Sequence, residues 1–172
     1  MKISQNQVTK LTISDVPNLD AVDVIVEDFG PGQGEITITC FGEAWSYYWS
    51  HMGEDTKLTD FFLKASTPYI VGKLKVGISA TIDNDDSEEL EILLKKEIIR
   101  MRRCNDLSAD QAREFYNDAA GVEWGERGDI CSQVFGDEWW ERTPKKPNPD
   151  YEHLCRIIQT VKEAFERLKT AS

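Results

Sequence analysis

The stretch from Ala21 to Trp49, AVDVIVEDFGPGQGEITITCFGEAWSYYW, constrains the fold more than any other part of the chain. Val22, Val24 and Val26 alternate with Asp23, Ile25 and Glu27, the two-residue period of a strand with one buried face. Gly30-Pro31-Gly32-Gln33-Gly34 follows, in which glycines accept positive φ and proline pre-sets one φ for a turn. Glu35 to Phe41 then returns as a second strand, with Ile36, Ile38 and Cys40 on one face and Thr37, Thr39 and Phe41 on the other. A hairpin is the reading that fits. Phosphate- and dinucleotide-binding glycine loops lead from a strand into a helix, and a Walker loop ends in a lysine. Here a strand follows the glycines and no lysine does.

On the N-terminal side, Val8 to Ile13 is expected as a first strand, ended by Asp15-Val16-Pro17-Asn18. On the C-terminal side the pattern is double-valued. Trp45, Tyr47 and Trp49 alternate as a strand would, continuing past a bulge at Gly42. Trp45, Tyr48, Trp49 and Met52 also fit a helical stripe closed by Gly53. The preference of aromatics for pleated surfaces favours the strand.

Beyond Gly53 the period changes to that of helices. Thr59 is expected to cap a short helix carrying Phe61, Phe62 and Leu63, with Ser66-Thr67-Pro68 interrupting it and Tyr69 to Leu74 adding a turn. Ile82 to Ser87 is expected as a polar loop. Glu88 to Arg103 is the clearest helix: Leu90, Leu93, Leu94, Ile98 and Met101 form one stripe, acids lead, and Arg100, Arg102 and Arg103 end it in the sense that complements the macrodipole. Ser108 to Gln111 is a capping box opening a helix to about Ala120. Asp129 to Trp140 is expected as a further short helix, and Pro144, Pro147 and Pro149 as an extended connection. Asn148 then caps a final amphipathic helix bearing Tyr151, Leu154, Cys155, Ile158, Val161, Phe165 and Leu168. Strands first and helices after predict an α+β fold, an N-terminal antiparallel β-meander packed against C-terminal helices. The 172 residues suit one domain, strand-rich over 1–50 and helix-rich over 54–172.

Thirty-one acidic and 20 basic side chains give a formal charge of −11. Such a balance disfavours nucleic acid, whose binding rests on Lys and Arg at phosphates, and anionic membrane surfaces, while suiting a basic protein partner or plain solubility. Residues 1–50 carry two basic and seven acidic groups, whereas residues 151–172 carry four basic and three acidic. No apolar run approaches the roughly 20 residues of a membrane span, and the N-terminus MKISQNQVTKL has no apolar signal region. Cys40, Cys104, Cys131 and Cys155 are widely spaced, which predicts four free thiols.

Few residues suggest chemistry. Asp83, Asp85, Asp86, Glu88, Glu89 and Glu91 fall within one short stretch, yet the calcium-loop pattern fails, with Glu88 where glycine is required and Leu94 where glutamate is required. The same acids suit a solvated loop and a first helical turn. His51 and His153 are the only histidines, and His153 with Cys155 is not a metal spacing on a helix, so no metal and no cofactor are expected. Cys131 with His51 is a conceivable nucleophilic pair that nothing local supports. Trp139 and Trp140 cannot both face inward from a helix, since neighbours diverge by about 100°. One of the two is a candidate interface anchor.

The segments LTISDVPNLD, EDFGPGQGEITITCFGEAWSYYW, LKKEIIRMRR and VFGDEWWERTPKKPNPDYEHLCRII make the chain resemble a family of small proteins encoded among the early accessory genes of lambda-like bacteriophages and prophages of enteric bacteria. The resemblance implies the cytoplasm of an infected or lysogenic bacterium and carries no catalytic residues with it. Together with the charge, it suggests a non-enzymatic protein that binds and modulates a host protein, such as a defence or DNA-processing factor. Asp83, Asp85, Asp86, Glu88, Glu89, Trp139 and Trp140 are then the candidate contact residues. The alternatives are a hydrolase of unfamiliar type using Glu, Asp and His51 on a small or nucleotide substrate, and an oligomeric, for instance homodimeric, small-ligand-binding module.

Overall fold

A computed structural model gives the fold and describes residues 1–3, 5 and 8–171. The architecture is α+β, with an antiparallel meander first and helices after. The chain is organised as two compact units, Met1–Ala80 with Asn148–Ser172, and Thr81–Pro147.

In the first unit, β1 (Thr9–Ile13), β2 (Val22–Gly30), β3 (Gln33–Cys40) and β4 (Glu43–Trp49) lie side by side in chain order, every pair antiparallel. The register stacks the inward residues into cross-strand rows. Leu11 pairs with Val24, Val24 with Ile38, and Ile38 with Trp45. Onto that face pack α1 (Leu58–Lys64), α2 (Thr67–Leu74) and α6 (Pro149–Ala171). Leu58, Phe62, Ile70, Val71, Leu154, Ile157, Ile158 and Val161 are buried with Val22, Val24, Ile36 and Ile38 in one core. Each fully buried aliphatic side chain contributes about 1.5–3 kcal/mol by leaving water. The last helix therefore covers the sheet, as its apolar face requires.

Residues 43–49 are strand, and Trp45 and Trp49 are buried in the core. Trp49 meets Tyr47 at 4.7 Å and Phe61 at 5.6 Å between ring centroids, and its indole Nε1 donates to Tyr69 Oη at 3.2 Å. The expected bulge at Gly42 is corrected. Cys40 pairs with Glu43, so Phe41 and Gly42, both at positive φ, form a two-residue hairpin turn between separate strands. The irregularity lies instead between Asp28 and Gly30. Asp28, at that point, accepts the Leu58 amide at 2.9 Å, so α1 starts at Leu58 rather than after a Thr59 cap.

In the second unit, β5 (Thr81–Asp83) and β6 (Lys145–Pro147) form a two-stranded ribbon, and α3 (Ser87–Arg103), α4 (Ala109–Asp118) and α5 (Gly128–Phe135) enclose a separate core of Leu90, Leu94, Ile98, Leu107, Ala119, Ile130, Cys131 and Val134. The ribbon corrects the expectation of a plain loop over 82–87, because Thr81 to Asp83 find backbone partners in the Pro-rich connection. The capping box at Ser108 and Gln111 is present. The expected helix from Asp129 to Trp140 is broken. Gly136, at φ 86, ends α5, and Trp139 to Glu141 form a 3₁₀ turn.

Candidate partner-binding site

The 3₁₀ turn presents its two tryptophans differently. Trp139 is half-buried and packs on the second core. The Arg127 guanidinium lies 5.3 Å from its ring and 3.9 Å from that of Trp124. Trp140 is 51% exposed and stands edge-on to Trp139 at 6.1 Å. A 3₁₀ turn rotates neighbours by about 120°, so one ring faces the core and the other solvent. The Trp140 carbonyl accepts both the buried Thr143 hydroxyl at 2.9 Å and Lys145 Nζ at 2.8 Å. The Arg142 amide donates to the Trp139 carbonyl at 3.0 Å. Arg142 then reaches Glu97 at 3.2 Å, and its guanidinium lies 5.3 Å from the Phe135 ring. An exposed aromatic is thus held on a backbone fixed from several directions, which lowers the entropy cost of using it in a contact.

The acidic stretch is largely engaged with its own surroundings. Lys145 pairs with Asp83, and Lys146 with Asp85 at 2.6 Å, across the β5–β6 ribbon. The Lys146 hydrogen bond, with a backbone amide, holds the Asp85 carboxyl below its ordinary value. Asp86 Oδ1 accepts the amides of Glu88 at 3.0 Å and Glu89 at 3.1 Å and so caps α3. Asn84 donates to Glu89. Glu91 accepts from Lys95 and from the Gly121 amide, which together hold its carboxyl down. Of the six acids, Glu88 is exposed with no side-chain hydrogen bond or ion pair among the described residues. Around Trp140, by contrast, Asp137, Glu138 and Glu141 are all exposed. The sequence reading passed over these three. Their signal is simple adjacency within GDEWWE.

The catalytic alternatives find less to rest on. Cys131 is fully buried and its thiol is pushed up by that burial. His51 and His153 are exposed. In the first unit a cleft of about 580 Å³ is lined by Thr9, Leu11, Asp28, Lys57, Asp60 and Lys169 among others, but not by His51. Its Asp28 holds the Leu58 amide, and Lys169 at 2.6 Å keeps the Asp60 carboxyl below its ordinary value. Among the described residues no three His, Cys, Asp or Glu side chains are grouped to hold a metal, and no helix is long and apolar enough to cross a membrane.

Residues 1–167 match the family model Phage_phiTE_072, described as a phage family. The chain belongs to that family. No curated protein and no solved structure matches this phage protein significantly.

Proposed function

We propose that this phage protein is a non-enzymatic binding protein of the bacterial cytoplasm that engages a basic surface of a host protein, such as the nucleic-acid-binding face of a defence or DNA-processing factor. The observation that carries the reading is Trp140, half-exposed on a turn anchored by Thr143 and Lys145 and flanked by Asp137, Glu138 and Glu141. A tryptophan ringed by charge is the composition of an interface anchor, in which the ring supplies buried area and the acids steer a basic partner into register. Of the acids at the start of α3, Glu88 is the one left exposed without a side-chain partner among the described residues. Asp83 and Asp85, paired with lysines, contribute less, and Asp86 and Glu89 serve chiefly to order the start of α3.

The test is capture of host protein from lysate across a salt series, followed by affinity measurement with the identified partner. A basic partner is expected whose association slows as salt rises. Trp140→Ala should cost about 2 kcal/mol or more of binding, and neutralising Asp137, Glu138 and Glu141 together should flatten the salt dependence. A partner that binds both variants as it binds the native protein would sink the proposal.

A further inference from the structure

The outer face of α3 carries a second set of residues that neither the core nor the Trp140 turn uses. Ile92, Lys96, Ile99 and Arg103 follow one another at steps of four, three and four residues. On a helix they fall within about 60° of one another. That stripe faces away from Leu90, Leu94 and Ile98, which point into the second core. Ile92 is 60% and Ile99 42% exposed, and Lys96 and Arg103 are exposed with no ion pair among the described residues. Two β-branched side chains seven residues apart, each followed four residues later by a cation, put apolar and cationic groups together on one exposed face of α3.

Open depressions border the stripe, one between side chains of α3 alone and one between α3 and α4. A depression of about 720 Å³ is lined by Ile92, Lys96, Ile99 and Arg103 with their neighbours. A second, of about 410 Å³, opens where α4 runs alongside and is lined by Ile99, Arg102, Arg103, Ala112, Arg113 and Tyr116 among others. Its floor is apolar and its rim is three arginines. In a protein of net charge −11 this is a local reversal of sign.

We infer that this groove binds an acidic amphipathic helix of a partner protein, with apolar side chains at seven-residue spacing seated on Ile92 and Ile99 and carboxylates meeting Lys96, Arg102 and Arg103. Charge complementarity selects the occupant's sign, and the apolar floor selects its type. Phosphate backbones gain nothing from isoleucine, and three of the nearby cations, Lys95, Arg100 and Arg113, are already paired with Glu91, Glu97 and Asp110. A helix laid in a groove uses both features at once. This inference is independent of the Trp140 reading and concerns a partner of opposite charge.

The experiment titrates the full-length protein into a fluorescent three-heptad peptide with leucine at its core positions and glutamate at the flanking ones, read by anisotropy. Saturable binding that weakens with salt is expected. Ile92→Gln with Ile99→Gln, which keeps helix propensity, should weaken it by at least about tenfold with an unchanged circular dichroism spectrum. Lys96→Glu with Arg103→Glu should weaken it and remove the salt response. Absence of saturable binding overturns the inference, as does equal binding by the glutamine variant. Duplex DNA or phosphatidylglycerol vesicles binding in place of the peptide, and losing that binding in the charge-reversed variant, would also overturn it.

Discussion

The carbonyl oxygen of Gly53 lies only 2.3 Å from where a β-carbon on Gly32 would stand. Gly32 also has φ +69, and its own carbonyl accepts the Met52 amide at 2.7 Å. The β2–β3 turn is therefore clamped by the segment leaving β4. Gly32→Ala should destabilise the protein by about 2 kcal/mol or more, since both the conformation and the space are unavailable to a side chain. Gly125→Ala, where nothing lies within 4 Å, should be close to neutral. Chemical denaturation of the two variants checks the contrast.

Glu97 is buried in the second unit and accepts from Arg100 at 3.0 Å and Arg142 at 3.2 Å. The Arg100 hydrogen bonds hold its carboxyl below the ordinary value, against the opposing effect of burial. A depressed folded-state pKa means stability that is present above the ordinary Glu pKa of about 4.3 and lost as pH falls through the folded-state value. Glu97→Gln should cost about 1–2 kcal/mol at neutral pH, the lower part of the range because both arginines are half-exposed. The gap to the native protein should close on acidification. Denaturation curves over a pH series test this, and a gap that stays constant would refute it.

The four cysteines are free but differently placed. Cys104 is exposed at the end of α3, while Cys40 and Cys131 are buried and their thiols are pushed up by burial. A thiol reagent at neutral pH should modify Cys104 first and Cys131 slowest, with all four reacting after unfolding. Peptide mapping by mass spectrometry gives the order. Cys104→Ser should remove the fast phase.

Trp139 and Trp140 should separate by stability alone. Trp139→Ala removes a ring packed on the second core and should cost about 2–4 kcal/mol. Trp140→Ala should stay within about 0.5 kcal/mol. Thermal melts of the two variants decide.

One domain, as the sequence suggests, implies one cooperative transition. Gly32→Ala and Glu97→Gln, placed in different compact units, should then shift the same melting curve. Two resolved calorimetric peaks, each moved by one variant, would establish two domains.

The meander and its covering helix were legible because period-two alternation in Val22–Val26 and Ile36–Cys40, and the 3.6-residue stripe of the last helix, are written in local sequence. The break at Gly136 was missed because the apolar spacing runs on into Trp139 and hides it. The β5–β6 ribbon was missed because Asp83 and Lys145 meet only through tertiary structure, and the three residues of each strand show no period. The same long-range pairing explains why the acidic stretch looked free. The lysine partners of Asp83 and Asp85 stand more than sixty positions away. That only one of the two tryptophans can face the core was readable from adjacency, but which one required the turn.

Asn148 donates its backbone amide to the Ala80 carbonyl at 3.0 Å and its side-chain amide to Ser79 at 2.8 Å, closing the first unit where the second is spliced in. This sets an order of events on the ribosome. The sheet, α1 and α2 are made before Thr81–Pro147, yet the core they share with Leu154, Ile157, Ile158, Val161 and Phe165 stays open until α6 is made. At roughly 5–20 residues per second, Thr81–Pro147 has all its own core residues in hand before the earlier-made strands receive their cover. The inserted unit can thus complete itself before the unit that brackets it, and β1–β4 wait on α6 for their cover.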